Sequence, residues 1–94
     1  MAAATVVQEE YGFRCHTGTE VVSVTTDKQY VTAFIYIPVS TNKTCTITNA
    51  NSDAVMTIFG AAAKTPVTVR FFDKPLDGIR VLSDGDFTLL ILVK

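Results

Sequence analysis

The chain has 94 residues, 48% of them hydrophobic and 18% charged, and its eight Lys and Arg against nine Asp and Glu leave a net charge of −1. This length makes one domain, since single domains run to roughly 50–200 residues, and the near-neutral balance argues against a protein that holds nucleic acid through a basic stripe. No apolar run reaches the ~18 residues of a membrane-spanning helix, and the N-terminus lacks the positive n-region and long apolar core of a secretory signal.

Residues 1–10 read as an extended N-terminal arm. Thr5-Val6-Val7 prefers extended backbone, Glu9-Glu10 interrupts the alternation, and the apolar content suits docking on a neighbour or along the domain's own edge. Residues 11–94 form the domain proper. Tyr11 to His16 is a short strand with Phe13 and Cys15 on one face, and Thr17-Gly18-Thr19 is a turn. Glu20 to Thr26 is the next strand, closed by a turn at Asp27-Lys28. Tyr30 to Ile37 is apolar on both sides: Tyr30, Thr32, Phe34 and Tyr36 point one way and Val31, Ala33, Ile35 and Ile37 the other. Pro38 ends it, because proline cannot donate to a ladder.

Thr44 to Thr48 alternates, with Cys45 and Ile47 inward. Asn49 to Asp53 is a turn of short polar side chains that bond their own backbone, and Ala54 to Phe59 is the strand that pairs back. Residues 60–65 are a loop or a single helical turn. In the last third, Val67, Val69 and Phe71 alternate with Thr68 and Arg70. Pro75 and Asp77-Gly78 signal a turn, Ile79 to Leu82 resumes the strand, Asp84-Gly85 signals a hairpin, and Phe87 to Val93 is the final strand. About eight short antiparallel strands at a spacing of roughly ten residues, with no amphipathic helix, predict an all-β sandwich or barrel.

The residues that could carry chemistry do not assemble into a motif. His16 is the single histidine and no Gly-x-Ser-x-Gly elbow occurs, so a strand-end histidine facing water or a subunit contact is the simpler reading. Cys15, His16 and Cys45 lack the close-spaced pairs of a structural zinc site, and neighbouring strand residues point to opposite faces. The two cysteines read as reduced, buried thiols. Asn49-x-Asn51-x-Asp53 has the first alternating oxygens of a calcium loop but neither its glycine nor its glutamate, and a hairpin turn accounts for it. We therefore expect no catalytic residue, no cofactor and no metal.

The informative feature is apolar excess. Tyr30–Ile37 and Leu89–Val93 are apolar on both faces, whereas a small sandwich has one core. An exposed patch of ~400 Å² would be unusual for a monomer, and covering it at about 25 cal/mol per Å² gains on the order of 10 kcal/mol before association costs. A second copy in a closed dimer or trimer is expected to cover it. The residues expected to meet partners are Val6 and Val7 of the arm and Tyr30, Phe34, Tyr36, Leu90 and Leu92 of an outer face.

The layout also resembles a family. The unit Pro66-Val-Thr-Val-Arg-Phe-Phe-Asp-Lys-Pro-Leu-Asp-Gly-Ile-Arg-Val81, the turn Ser83-Asp-Gly-Asp86 and the closing Phe87-Thr-Leu-Leu-Ile-Leu-Val-Lys94, with the arm, the low charge and the Thr- and Val-rich strands, resemble small all-β bacteriophage virion proteins, in particular capsid decoration (cement) proteins. The resemblance covers most of residues 11–94. It implies a small jelly-roll-like β-sandwich that forms a homotrimer, rather than a dimer, on the capsid surface. Its partner would be the major capsid protein, and it would stabilise the head without enzymatic activity. A small carbohydrate-binding sandwich, reading its ligand with one sheet face or with the loops 38–44 and 60–65, is the alternative.

Overall fold

A computed structural model describes residues 4–18 and 20–94, with the side chains of residues 72–74 left aside. The described chain is all-β and antiparallel, with seven strands: β1 (Thr5–Glu9), β2 (Gly12–His16), β3 (Val22–Pro38), β4 (Lys43–Thr48), β5 (Ala54–Gly60), β6 (Val67–Ser83) and β7 (Phe87–Val93). They form one sheet in the order β1-β2-β7-β3-β6-β4-β5. Among the described residues no helix is long and apolar enough to cross a membrane.

Two strands of 17 residues each, β3 and β6, organise the sheet. They pair along most of their length, from Val22↔Val81 to Tyr36↔Val67. The C-terminal half of β3 also pairs with β7, and β7 with β2. The C-terminal end of β6 instead pairs with β4, and β4 with β5. The ribbon therefore belongs to two layers, and it must fold over between them.

Register shifts at Ser23/Thr25, Thr25/Lys28 and Val31/Ala33 supply the bends, since each bulge adds unpaired backbone on one strand and sharpens its twist. Gly78 sits at the crease with φ +87°, a conformation that favours glycine. A Cβ there would lie 2.6 Å from the Cβ of Ala50.

Two expected turns are thus bends within continuous strands. Asp27-Lys28 and the stretch 73–78 stay in the ladder, with Lys28 opposite Asp77 and Tyr30 opposite Pro75. Pro75 is tolerated because β6 at this point has β3 as its one sheet neighbour, so the missing N–H falls on the unpaired side.

The expected hairpin at Asp84-Gly85 is likewise corrected. Strands β6 and β7 are not neighbours in the sheet, and Gly85 is not among the positive-φ glycines. The segment carries the chain from one layer to the other and is tied down by side chains. The Asp84 carboxylate accepts from Thr44 N (2.8 Å) and Thr44 Oγ1 (3.3 Å), and Asp84 N donates to Thr44 O (3.2 Å). Asp86 O accepts from Val39 N (3.0 Å), and its carboxylate accepts from Gly18 N (3.1 Å). The hairpin expected over 44–59 does form, as β4 and β5. In its turn Asn49 Oδ1 accepts from the backbone N–H of Asn51 and Asp53.

The arm expected over 1–10 is partly visible. Residues 1–3 lie outside the described residues; from Thr5 the stretch runs as β1, paired with β2 from Thr5↔His16 to Glu9↔Gly12. It therefore lies along the domain's own edge.

The core fills the space between the layers. Phe13, Cys15, Phe34, Tyr36, Leu89 and Ile91 come from one layer, and Cys45, Ile47, Ile58, Ile79 and Val81 from the other. Phe34 meets Phe71 edge-on at 5.6 Å between ring centroids, the geometry aromatic rings prefer. One buried polar side chain is recorded among the described residues, Ser83, and its hydroxyl lies 2.9 Å from that of Tyr36.

Candidate interaction surface

Because side chains alternate across a strand, pairing register decides which residues share a face. On the inner side, one row runs Val6–Cys15–Leu89–Tyr36–Val67 and the next Gln8–Phe13–Ile91–Phe34–Val69. On the outer side, the central row runs Val7–Arg14–Leu90–Ile35–Thr68. It is flanked by Thr5–His16–Thr88–Ile37 and by Glu9–Gly12–Leu92–Ala33–Arg70. Val7, Ile35, Ile37, Leu90 and Leu92 are all half-buried. Ile35, Ile37, Leu90 and Leu92 make an apolar centre, with Thr68 and Arg70 at one side and the Arg14–Glu9 ion pair (3.7 Å) at the other, and Val7 lies beyond Arg14.

These rows divide the residues expected to meet partners. Val7, Leu90 and Leu92 lie on the outer face. Tyr30 is exposed, at 49%, near the bend of β3. Phe34 and Tyr36 are fully buried inside the protomer, and Val6 packs against the core; these three cannot form an outer face. The cause is the bulge between Val31 and Ala33. Tyr30 shares the parity of Phe34 in a regular strand, but one extra residue moves it to the other side. Ile35 and Ile37 inherit the outer positions. Their signal in the sequence is the same alternation, read with the opposite face inward.

The other layer has a different exterior. Thr46 stands between Leu82 and Thr57, and Thr44 beside Phe59. Leu82 and Phe59 are exposed.

Of the groups considered for chemistry, His16 lies on the outer face with its Nδ1 3.2 Å from Thr17 Oγ1, while Cys15 points into the core. Both cysteines are free and buried. Burial pushes the Cys15 thiol up to about 12. Burial, with smaller contributions from Cys15 and Asp84, does the same for Cys45. Thiols held protonated in this way are poor nucleophiles and poor metal ligands. Among the described residues, no three His, Cys, Asp or Glu side chains converge on a cation position, and no cleft or cavity opens. What the molecule presents is sheet surface and sheet edge. Compared with known protein families, curated proteins and solved structures, the chain matches none.

Proposed function

We propose that the chain is a non-enzymatic structural protein of a phage virion. In this reading it decorates the head by laying the outer face of the β1-β2-β7-β3-β6 layer on the major capsid protein, and it associates with copies of itself. The observation that carries the reading is the apolar centre Ile35, Ile37, Leu90 and Leu92 on a face that a solitary small β domain would keep polar. An apolar centre with charged residues at its margin is how protein interfaces are built. The virion setting rests on the resemblance of the 66–94 unit, and the low charge accords with a protein that works through contact area rather than a long-range field.

The test is co-sedimentation with undecorated heads of the phage that encodes the chain. The wild-type chain should pellet with the heads and raise their resistance to heat. Leu90→Lys, which places a charge in the apolar centre, should stay in the supernatant while keeping its β-sheet circular dichroism. Equal pelleting of the two proteins, or no pelleting of wild type, would refute the proposal.

A further inference from the structure

The outer face is not apolar across its whole width. Register confines the large apolar side chains of its centre to the two middle strands, β7 and β3, where Leu92 stands beside Ala33, Leu90 beside Ile35, and Ile37 beside Thr88. The stripe runs on at one end to Tyr30, 49% exposed and turned outward by the bulge. At the other end Val39, 48% exposed, follows the last residue of β3. On either side the polar columns begin at once, with Arg14 and His16 on β2 and Thr68 and Arg70 on β6.

Two strands make a stripe about 10 Å wide, and the run from Ala33 to Val39 makes it about 20 Å long. Those are the dimensions of a single α-helix of about 13 residues. Backbone pairing points the same way. Strand β7 is paired with β2 and β3, and β3 is paired along this stretch with β7 and β6, so neither has a free ladder edge for an incoming strand. Whatever covers the stripe has to satisfy its own backbone, as a helix does internally.

We propose that the occupant is one amphipathic α-helix of the coat protein, laid along β3 and β7 with acidic residues on its margin nearest β6. This rests on the coat-protein reading above and names the element that docks. The acidic margin follows from charge. Arg14 already has Glu9 at 3.7 Å, whereas Arg70 is exposed and has no ion-pair partner among the described residues. A second copy of the chain fits the stripe poorly. It has no helix to offer among the described residues. Its sheet, laid face to face about a two-fold axis along the strands, would bring β2 over β6 and so gather Arg14 and Arg70 at each margin, and like charges set together across an interface oppose it.

The test is photo-cross-linking on undecorated heads of the phage that encodes the chain. The cross-linking residue p-benzoylphenylalanine replaces Leu92, Ile35 or Ile37, one at a time, each half-buried and each one row further along the stripe. Successive rows are about 6.8 Å apart, which is about four to five residues of a helix at its ~1.5 Å rise but two residues of a strand. The cross-linked coat-protein residue, located by mass spectrometry, should therefore shift in one direction by about four to five positions per row. Arg70→Glu should weaken docking roughly tenfold at low salt, with the gap from wild type closing as salt is raised and the circular dichroism spectrum unchanged. On heads that the wild-type chain binds, a shift of about two positions per row, no ordered shift, cross-links confined to a second copy of this chain, or docking indifferent to Arg70→Glu would overturn the inference. Wild-type chain that fails to pellet would remove the coat-protein reading, and this inference with it.

Discussion

The hydroxyl of Ser83 is the polar centre of the core, and its removal tests how the two layers are joined. Ser83 Oγ donates to Gly85 O at 2.7 Å. With its one proton committed, Ser83 must accept from Tyr36 OH, at 2.9 Å. Tyr36 is therefore the donor, and both side chains are inaccessible to water. The consequence is an asymmetry. Ser83→Ala strands the phenol proton in apolar surroundings, at a cost of about 1–3 kcal/mol. Tyr36→Phe removes a donor but leaves Ser83 bonded to Gly85, and should cost about 0.5–1.5 kcal/mol. The double variant has no unsatisfied phenol, so it should cost less than the sum of the single changes by on the order of 1 kcal/mol. For a domain of this size Ser83→Ala should lower Tm by roughly 4–20 °C. Chemical denaturation of the four proteins, with m-values compared to confirm a common two-state transition, measures the cycle. A Tyr36→Phe change more damaging than Ser83→Ala, or additive effects of the two, would refute Tyr36 as the donor to Ser83.

Two further outcomes follow from the same structure. The buried Cys15 and Cys45 thiols titrate near 12 instead of their ordinary 9, so the folded state binds their protons more tightly than the unfolded chain does. Their contribution is intact below pH 9 and is lost as pH rises from 9 toward 12, each thiol adding a slope of about 1.4 kcal/mol per pH unit. Burial raises the Tyr36 phenol in the same direction. Urea midpoints measured from pH 8 to 10.5 should fall, and the fall should shrink in Cys15→Ala and Cys45→Ala; a flat profile would contradict it. Gly78→Ala forces a φ of +87° on a residue with a Cβ and presses that carbon to 2.6 Å from Ala50. It should destabilise by about 1–3 kcal/mol, whereas Ala50→Gly in the same background should recover part of the loss by removing the clash.

The positions of the strands were legible in the chain because alternation is local. Thr44–Thr48 shows Cys45 and Ile47 inward without reference to anything else, and Asn49 to Asp53 closes its hairpin with its own side chains. Two cysteines at inward positions read as buried, and they are. The candidate surface was legible only in part. Val7, Leu90 and Leu92 follow from parity, but Phe34 and Tyr36 lie inside although the alternation groups them with the exposed Tyr30, because a single bulged residue between Val31 and Ala33 reverses the parity of everything before it relative to everything after. The backbone flanking such a bulge carries no composition that distinguishes it from a regular strand.

What the sequence alone determined is that this is an all-β domain with strands where the alternation lies. Which strands meet follows from the packed fold. Asp84-Gly85 has the composition of a hairpin, yet β7 inserts between β2 and β3, since Leu89 and Ile91 are fully buried there, in the core shared by both layers. Asp77-Gly78 has the composition of a reversal, yet β6 continues through it, because β3 bends alongside and keeps the ladder paired. Turn residues set which backbone angles are cheap; the burial of side chains from distant segments selects among the chain paths those angles permit.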